Sequence, residues 1–403
     1  MPFDISRLKA QFPLLQDEQL HYLDNAATAQ MPDAVLEALR RFETTQRANV
    51  HSGVHRLARK AIEAYEGARN SVARFINARS SSEVIFTYGA TSAINLLAQS
   101  FGESLDEGDE IVISRLEHHS NILPWQKLRK QRGVTLKVLP VTAEGRLDLD
   151  HLGDCVTPRC RLIAVTHCSN VTGALTDVGP IVAAARAVGA KVMLDGAQHV
   201  PHGPVDVQGL GVDFYAFSGH KMFGPTGIGV LWGRHDLLQA MPPFMVGGQM
   251  IEQVTMEDAS FAPPPRRFEA GTPPIAGAIG LGAAAQWLEE LDWAAAAAQE
   301  LRLTERILNG LSDHRTIRLL GPNGVQQRRG VISFNLKGAD TKDLCRVMDE
   351  YGVALRCGHH CAQPLMTAFG LPGTARASLA PYNDDADVDA FLNALEDAVR
   401  RLR

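Results

Sequence analysis

Short apolar runs alternate with helical patterns through the first half of the chain. Several runs are apolar at nearly every position, as in residues 161–166, 191–195 and 213–218. Strands that are buried on both faces of a parallel sheet show this pattern. Alternation of such strands with helices predicts an α/β domain with a mostly parallel, seven-stranded sheet and helices on both faces. The predicted strands are residues 83–87, 110–114, 136–139, 161–166, 191–195, 213–218 and 227–232, with a helix at 92–99.

The order of predicted elements changes after a proline-rich segment at residues 262–267. The mixed order of helices and strands beyond it predicts a smaller α+β domain. We expect a large domain at residues 16–290 and a small domain made of residues 1–15 and 291–403. The helices predicted in this part are residues 276–291, 292–311, 341–351 and one from 385 onward, and the strands are 317–320, 330–335 and 353–356.

Composition and charge exclude several classes of protein. The 403 residues include 40 Lys and Arg against 45 Asp and Glu, which argues against nucleic-acid binding through a basic face. The longest apolar stretch, residues 275–288, is shorter than the roughly 20 residues that span a bilayer. The N-terminus lacks the pattern of a signal peptide. Six Cys in so long a chain form no disulfide framework, so we expect a reducing, cytoplasmic location without membrane or nucleic-acid partners.

Two consecutive predicted strands end in residues that suggest cofactor chemistry. One strand ends at Ser218 and is followed by Lys221, and the strand before it ends at Asp195. Open α/β sheets bind ligands at these strand ends, and partial burial turns a lysine into an amine nucleophile. A buried carboxylate is costly unless a cation pairs with it. Pyridoxal phosphate enzymes combine a Schiff-base lysine with an acidic partner of the pyridinium nitrogen.

Each of these residues also has a simpler interpretation. A lysine at a strand end often reaches solvent, and an aspartate often caps a helix. Both motifs at consecutive strand ends favour the cofactor site. Residues 88–92, where a strand meets a helix, add a possible phosphate cradle that includes Thr91, because free N–H groups and the helix dipole bind anions.

Motifs along nearly the whole chain resemble the group II cysteine desulfurases, the SufS/CsdA branch of the class-V aminotransferase-like enzymes. The resemblance implies pyridoxal 5'-phosphate as cofactor, the aspartate aminotransferase-like fold (fold type I) of PLP-dependent transferases, and a homodimer. The matching segments are residues 22–28, 49–51, 117–121, 169–173, 191–198, 218–225, 268–273, 356–361 and 376–378.

The resemblance also implies a role for individual residues. Lys221 is the Schiff-base lysine and Asp195 the partner of the pyridine nitrogen, while His118 stacks on the ring and helps to move protons. The substrate carboxylate is bound by a guanidinium, which suits it because the contact can be bidentate. The other implied cofactor contacts are Gln198, Thr91, Ala90, Ser218, His220 and, from the second subunit, Thr272, and the implied substrate contacts are Asn170, Arg376, Arg356 and Ala27.

Cys361 follows two histidines in a Gly-His-His-Cys stretch. The resemblance implies that it is the catalytic thiol on a loop over the active site, assisted by His359 or His360. A buried core Cys and a zinc ligand are the alternatives. A closed zinc site needs a second pair of ligands that is missing here, so no metal is predicted. Cys357 is unusual beside this loop, and it is either inert or exchanges sulfur or oxidises with Cys361.

The predicted reaction converts L-cysteine to L-alanine and leaves a persulfide on Cys361. The resemblance implies that the sulfur then passes to an acceptor protein of the SufE/CsdE kind, for iron–sulfur cluster or other sulfur-cofactor biosynthesis. A selenocysteine lyase on the same scaffold, acting on L-selenocysteine, is the nearest alternative. A different class-V reaction, such as transamination or epimerisation, is less expected because it would give Cys361 no catalytic role. A non-catalytic scaffold for sulfur-trafficking partners is disfavoured because Lys221 and Asp195 are both present.

Overall fold

Fifteen β-strands lie within residues 4–51 and 53–402, the part of the chain that the computed structural model describes. In chain order they are β1 (His21–Tyr22), β2 (Val84–Thr87), β3 (Glu110–Ser114), β4 (Thr135–Leu139), β5 (Cys160–Thr166), β6 (Lys191–Asp195), β7 (Phe214–Ser218), β8 (Gly229–Gly233), β9 (Ile251–Val254), β10 (Ala259–Phe261), β11 (Ile317–Leu320), β12 (Val331–Leu336), β13 (Val353–Ala354), β14 (Arg356–Gly358) and β15 (Thr374–Ser378).

Seven of these strands form the larger sheet in the order β2-β8-β7-β6-β5-β3-β4. Strands β4, β3, β5, β6 and β7 are parallel to one another, and β8 is antiparallel to both β7 and β2. Every position of β2, β3, β7 and β8 is buried, as near-continuous apolar runs predict. The predicted mostly parallel, seven-stranded sheet is therefore confirmed.

A smaller antiparallel sheet has the order β11-β12-β15-β14, and β1 pairs in parallel with β13. The prediction of one strand at residues 353–356 is wrong. Ala354 pairs with Tyr22, whereas Arg356 pairs with Arg376, so the chain passes from one sheet to the other at Leu355. Short apolar runs carry no signal of such a change of partner. Strands β9 and β10 form a separate hairpin.

The α-helices lie on the faces and edges of these sheets. The structure has helices close to the predicted residues 92–99, 276–291, 292–311 and 341–351. In chain order the helices are α1 (Ile5–Lys9), α2 (Asp33–Arg41), α3 (Arg56–Phe75), α4 (Ala90–Ser100), α5 (Leu123–Arg132), α6 (Leu152–Cys155), α7 (Val178–Val188), α8 (Val207–Leu210), α9 (His235–Ala240), α10 (Ile275–Glu289), α11 (Trp293–Ser312), α12 (Thr341–Asp349), α13 (Gln363–Ala368) and α14 (Asp385–Arg401).

Three apolar clusters form the core. Successive side chains of a strand point to opposite faces, and along β7 Phe214 and Ala216 belong to one cluster while Tyr215 and Phe217 belong to another. These two clusters therefore cover the two faces of the larger sheet. The third cluster lies around the smaller sheet and includes Phe334. No helix within the described residues is long and apolar enough to cross a bilayer.

The boundaries proposed for the two domains stay a prediction, and residues 1–3 and 403 lie outside the described part of the chain. Contacts cross the proposed boundaries. Strand β1 pairs with β13, and Asp24 forms an isolated bridge with Ser378. Near the N-terminus the Phe12 ring packs against Trp287, with ring centroids 5.5 Å apart. The two sheets are thus joined by the segments that lead to the site described next.

Candidate active site

A cavity of about 320 Å³ opens at the carboxyl ends of β5, β6 and β7. Ligands of open α/β sheets bind at this edge because the strand ends and following loops meet there. The wall opposite the sheet comes from the loop after β14 and from β15. The cavity is lined by Ala26, Ala27, Ala90, Thr91, His118, Ser120, Thr166, Cys168, Asn170, Asp195, Ala197, Gln198, Ser218, His220, Lys221, Arg356, His360, Cys361 and Arg376. The predicted site residues are in this set except for Thr272 and His359, one of the two histidines expected to assist Cys361.

Lys221 and Asp195 lie on the sheet side of the cavity. Lys221 ends a short 3-10 turn directly after β7, and Asp195 is the last residue of β6. Burial lowers the pKa of the Lys221 amine to about 8, although the charge of Asp195 partly opposes the shift. Burial also raises the pKa of the Asp195 carboxyl, whose Oδ1 accepts the N–H of Ala197 at 3.0 Å. A cation beside this carboxylate would offset the cost of burying its charge.

The start of α4 forms one end of the cavity. The N–H of Ala90 donates to Ser218 Oγ at 2.8 Å, and the Thr91 and Ser120 hydroxyl oxygens lie 2.7 Å apart. Gly89 precedes the helix with φ +110°, and a Cβ on Gly229 would lie 2.5 Å from the Gly89 Cα. Glycine at 229 therefore lets β8 pass close behind the helix start. Free N–H groups and the helix dipole make this end suitable for an anion.

His220 lies near this helix start, next in the chain to Lys221. Its Nδ1 lies 2.9 Å from Thr28 Oγ1. Burial and, secondarily, the nearby Lys221 lower the pKa of His220 to about 4. The imidazole is therefore neutral at neutral pH, and it could bind an anion only by hydrogen bonding and not by charge.

His118 borders the cavity after β3. Its Nδ1 accepts the N–H of Ser120 at 3.1 Å, and burial, with a smaller contribution from Lys221, lowers its pKa to about 3. Glu117, which precedes it, is buried and accepts hydrogen bonds from Asn121 Nδ2 at 2.7 Å and the N–H of Thr166 at 3.0 Å. This carboxyl fixes the turn that presents a neutral His118 to the cavity.

Two arginines share one carboxylate at the opposite wall. Arg356 Nη2 donates to Asp24 Oδ2 at 2.7 Å, and Arg376 Nη2 donates to Asp24 Oδ1 at 3.4 Å. Arg376 also donates to the Asn170 carbonyl at 3.0 Å, while its Nε is buried without a partner among the described residues. Burial lowers the pKa of Arg376 to about 10, so the guanidinium stays charged and can accept an anionic ligand.

Cys361 lies on the four-residue loop between β14 and α13, and its side chain is exposed at the cavity. His360 and Cys361 have φ values of 51° and 54°, a left-handed conformation that is uncommon outside glycine. Asn170 Nδ2 donates to the His360 carbonyl at 2.7 Å, and His360 Nε2 lies 2.8 Å from Thr374 Oγ1. The loop that was predicted to carry the thiol is therefore held over the cavity by specific hydrogen bonds.

Of the other cysteines, Cys168 is buried and also lines the cavity, whereas Cys357 does not line it. Cys357 alternates with Arg356 along β14, so its side chain faces away from the cavity. Its neighbour is Cys345 of α12, whose thiol pKa is raised by burial and then by Cys357, and this position favours the inert interpretation over sulfur exchange with Cys361. Among the described residues, no group of three or more His, Cys, Asp or Glu side chains is placed to hold a metal ion.

Thr272 does not reach this cavity. It is exposed and lines a separate cavity of about 570 Å³ with Asn49, whose Nδ2 donates to Thr272 Oγ1 at 3.3 Å. Thr272 therefore does not line the site of its own chain, and its predicted contact from a second subunit stays a prediction.

Sequence reasoning assigned no role to Asp24, Ser120 or Glu117. All three lie within or next to segments that resemble the family, but their roles depend on contacts with distant parts of the chain. The best signal was the position of Asp24 directly after an apolar segment, because an acidic residue entering a buried region requires a cationic partner.

The residues at this site fit pyridoxal 5'-phosphate. Gln198 Oε1 and Arg376 Nε are buried polar atoms without partners in the cavity wall, and such atoms normally have a partner when a site is complete. Lys221 and Asp195 lie at the ends of adjacent strands, and the start of α4, which is suitable for an anion, lies at one end of the cavity. These features match a ligand with an aldehyde, a basic ring nitrogen and a phosphate.

The comparisons agree with this geometry. The model of the family described as Aminotransferase class-V matches residues 21–391. A cysteine desulfurase from Dickeya dadantii is 47% identical over 98% of this chain and 96% of its own length. A probable cysteine desulfurase from Streptomyces coelicolor is 46% identical with the same coverage. The chain therefore belongs to the aminotransferase class-V family.

Comparison with solved structures narrows the assignment within the class-V family. The cysteine desulfurase CsdA from Escherichia coli has a TM-score of 0.93 at 41% identity, with both chains covered completely. The apo structure of cysteine desulfurase from Thermococcus onnurineus has a TM-score of 0.95 at 38% identity, covering 99% of this chain and 100% of that one. Within the class-V family the chain belongs with the cysteine desulfurases. The predicted family, fold and pyridoxal phosphate dependence are confirmed.

Proposed function

We propose that this chain removes sulfur from L-cysteine, releases L-alanine and retains the sulfur as a persulfide on Cys361. The observation that carries the proposal is that Lys221, Asp195 and Cys361 line one cavity of about 320 Å³. The first two suit the chemistry at the substrate Cα, and the third supplies a sulfur nucleophile. Family membership supports the same reaction.

Side chains on the sheet side hold the cofactor. Lys221 holds it covalently through Nζ, and Asp195 keeps the ring nitrogen protonated. When bound, pyridoxal phosphate acts as an electron sink for negative charge at the substrate Cα. Gln198 contacts the ring oxygen and the neutral His118 contacts the ring. Phosphate contacts come from Ala90, Thr91, Ser218 and His220, whose positions at the α4 start support this assignment.

The opposite wall binds and orients the substrate. Arg376 binds the carboxylate of L-cysteine through its charged guanidinium, with Asn170, Arg356 and Ala27 beside it. The unpartnered Nε of Arg376 supports this role, because an arginine fork can donate two parallel bonds to a carboxylate. Substrate bound in this way places its side chain toward the Cys361 loop, which forms the same wall.

Lys221 and Cys361 then act on different atoms. Lys221 would take the α-proton at Nζ, and its lowered pKa of about 8 makes the neutral amine available near neutral pH. The Cys361 thiolate attacks the substrate sulfur, so that the new S–S bond forms as the Cβ–S bond breaks. The electron pair of the broken bond stays on the substrate, where Cβ gains a proton and Cα regains one to give L-alanine, and Cys361 keeps the sulfur as a persulfide.

The homodimer, the acceptor and the location are further parts of the proposal. Thr272 lies outside the cavity of its own chain, which supports a homodimer in which it contacts the phosphate in the partner's site. The exposed Cys361 supports transfer of sulfur to an acceptor protein of the SufE/CsdE kind. All six cysteines are free thiols, which supports a reducing, cytoplasmic location.

Replacement of the thiol by a hydroxyl tests the proposed reaction. Cys361→Ser should lower L-alanine formation from L-cysteine by at least about 100-fold, because serine is a far weaker nucleophile at neutral pH, while the bound cofactor and its absorbance persist. Cys345→Ser serves as a cysteine control and should keep its rate. Full activity of Cys361→Ser on L-cysteine would reject the proposal, and turnover of L-selenocysteine alone by that variant would favour the selenocysteine lyase.

A further inference from the structure

His119 attaches the C-terminal half of the Cys361 loop to the segment after β3, in addition to the bond that Asn170 donates to the His360 carbonyl. His119 begins a short 3-10 turn after β3. Its main-chain N–H donates to the Cys361 carbonyl at 2.7 Å, and its Nε2 accepts the N–H of Gln363 at 3.1 Å. The main chain and the side chain of His119 thus hold the loop on both sides of Ala362.

The side-chain bond satisfies a helix terminus. Gln363 is the first residue of α13, and the first N–H groups of a helix have no acceptor within the helix. No side chain of the preceding residue caps α13, so the imidazole of His119 acts as the cap from a distant part of the chain. An imidazole nitrogen accepts a hydrogen bond only when it carries no proton. Burial and then His359 lower the pKa of His119, which favours the accepting form.

A second imidazole acts from within the loop. His359 Nδ1 accepts the N–H of Cys361 at 3.1 Å, and its ring lies 5.6 Å from that of His119 between centroids. The loop contains the two consecutive left-handed residues, His360 and Cys361. Residues in this conformation persist only when surrounding contacts enforce it. The contacts of His119 with the loop are among those that hold this conformation.

We propose that His119 is a positioning residue that fixes the Cys361 thiol over the cavity by accepting the Gln363 N–H. The proposal rests on the proposed function, since it concerns the thiol that takes the sulfur. His119 acts through Gln363 and contacts no reacting atom. Its imidazole should affect the step at sulfur and leave the step at the substrate Cα unchanged.

Two substitutions at His119 separate the acceptor from the ring. His119→Phe keeps a ring beside His359 and removes the accepting nitrogen. His119→Gln removes the ring and keeps an oxygen that can reach the Gln363 N–H. Both keep the main-chain bond to Cys361. His151→Phe is a matched control, because His151 is exposed and lies in a short turn far from the cavity.

Hydrogen–deuterium exchange of the holoenzyme, followed at the Gln363 amide, is the first measurement. His119→Phe should speed this exchange by about tenfold, the factor expected for the loss of one net hydrogen bond. His119→Gln and His151→Phe should stay within about twofold of the wild type. Unchanged exchange in His119→Phe would overturn the proposal, whatever reaction the chain catalyses.

Two rates give the second measurement. His119→Phe should lower kcat for L-alanine formation from L-cysteine by about 10- to 100-fold, as a misplaced reacting group does, and His119→Gln should restore it. Exchange of the Cα hydrogen of L-alanine in deuterated water requires no thiol and should be unchanged. Equal loss of both rates would indicate a general structural role and reject the proposal. Full L-cysteine activity of Cys361→Ser would instead reject the proposed function.

Discussion

The two walls of the cavity are built in different ways. On one wall Lys221 and Asp195 follow adjacent strands of the seven-stranded sheet, and burial shifts the pKa of both. On the other wall Cys361 lies on a four-residue loop, exposed and in a left-handed conformation. A rigid, desolvated sheet edge suits charge chemistry on the cofactor and substrate. An exposed loop suits a thiol that must release its sulfur to another protein.

This difference assigns a separate task to each wall. Electrostatic interactions strengthen where water is excluded, so the residues that control protonation belong on the buried side. The thiol needs access from outside, but it must also reach the substrate sulfur, and histidine hydrogen bonds replace the packing that a strand would provide. The predictions below test this division, beginning with the largest effect.

Lys221→Ala should have the largest effect. Loss of the amine removes both the covalent hold on the cofactor and the group that takes the α-proton, so L-alanine formation should fall by about 1000-fold or more. If both walls serve one reaction, adding Cys361→Ser to this variant should cost little more. Lys127→Ala, at an exposed position of α5, is the control. Substantial turnover in Lys221→Ala would show that the sheet wall is not essential.

The pH dependence of Lys221 reactivity should show an intermediate effect. Because burial lowers its pKa to about 8, the amine is protonated and unreactive below that pH and becomes a neutral nucleophile above it. In cofactor-free protein, the rate of Lys221 modification by trinitrobenzenesulfonate, followed by peptide mass spectrometry, should rise with a midpoint near pH 8. N-acetyl-lysine provides a reference midpoint near about 10.4. Equal pH midpoints for Lys221 and N-acetyl-lysine would contradict the argument that burial lowers the pKa of Lys221.

Cys357→Ser should have the smallest effect. Cys357 is four positions from Cys361, but it alternates with Arg356 along β14 and neighbours Cys345, whose pKa is raised by burial and then by Cys357. We therefore expect kcat for L-alanine formation to stay within about twofold of the wild type, as for a substitution that touches no reacting group. A loss close to that of Cys361→Ser would mean that the loop wall uses both thiols.

The two walls also differ in how far the sequence could predict them. The positions of Lys221 and Asp195 follow from strand runs that are apolar throughout and then end in polar residues, a local signal. The loop wall depends on pairings between distant segments. The change of sheet at Leu355, the Asp24 carboxylate shared by two arginines, and the cap that His119 places on α13 arise from contacts that no local pattern encodes. The resemblance identified Cys361 and its loop but not the contacts that hold it.

The most direct test of the central claim is to locate the sulfur. The holoenzyme is treated with L-cysteine in the absence of an acceptor, its thiols are blocked, and its peptides are analysed by mass spectrometry. Our account predicts one additional sulfur atom on the peptide that contains Cys361, together with L-alanine in solution. L-Alanine formation with the additional sulfur on Cys357 or Cys168, and none on Cys361, would contradict it.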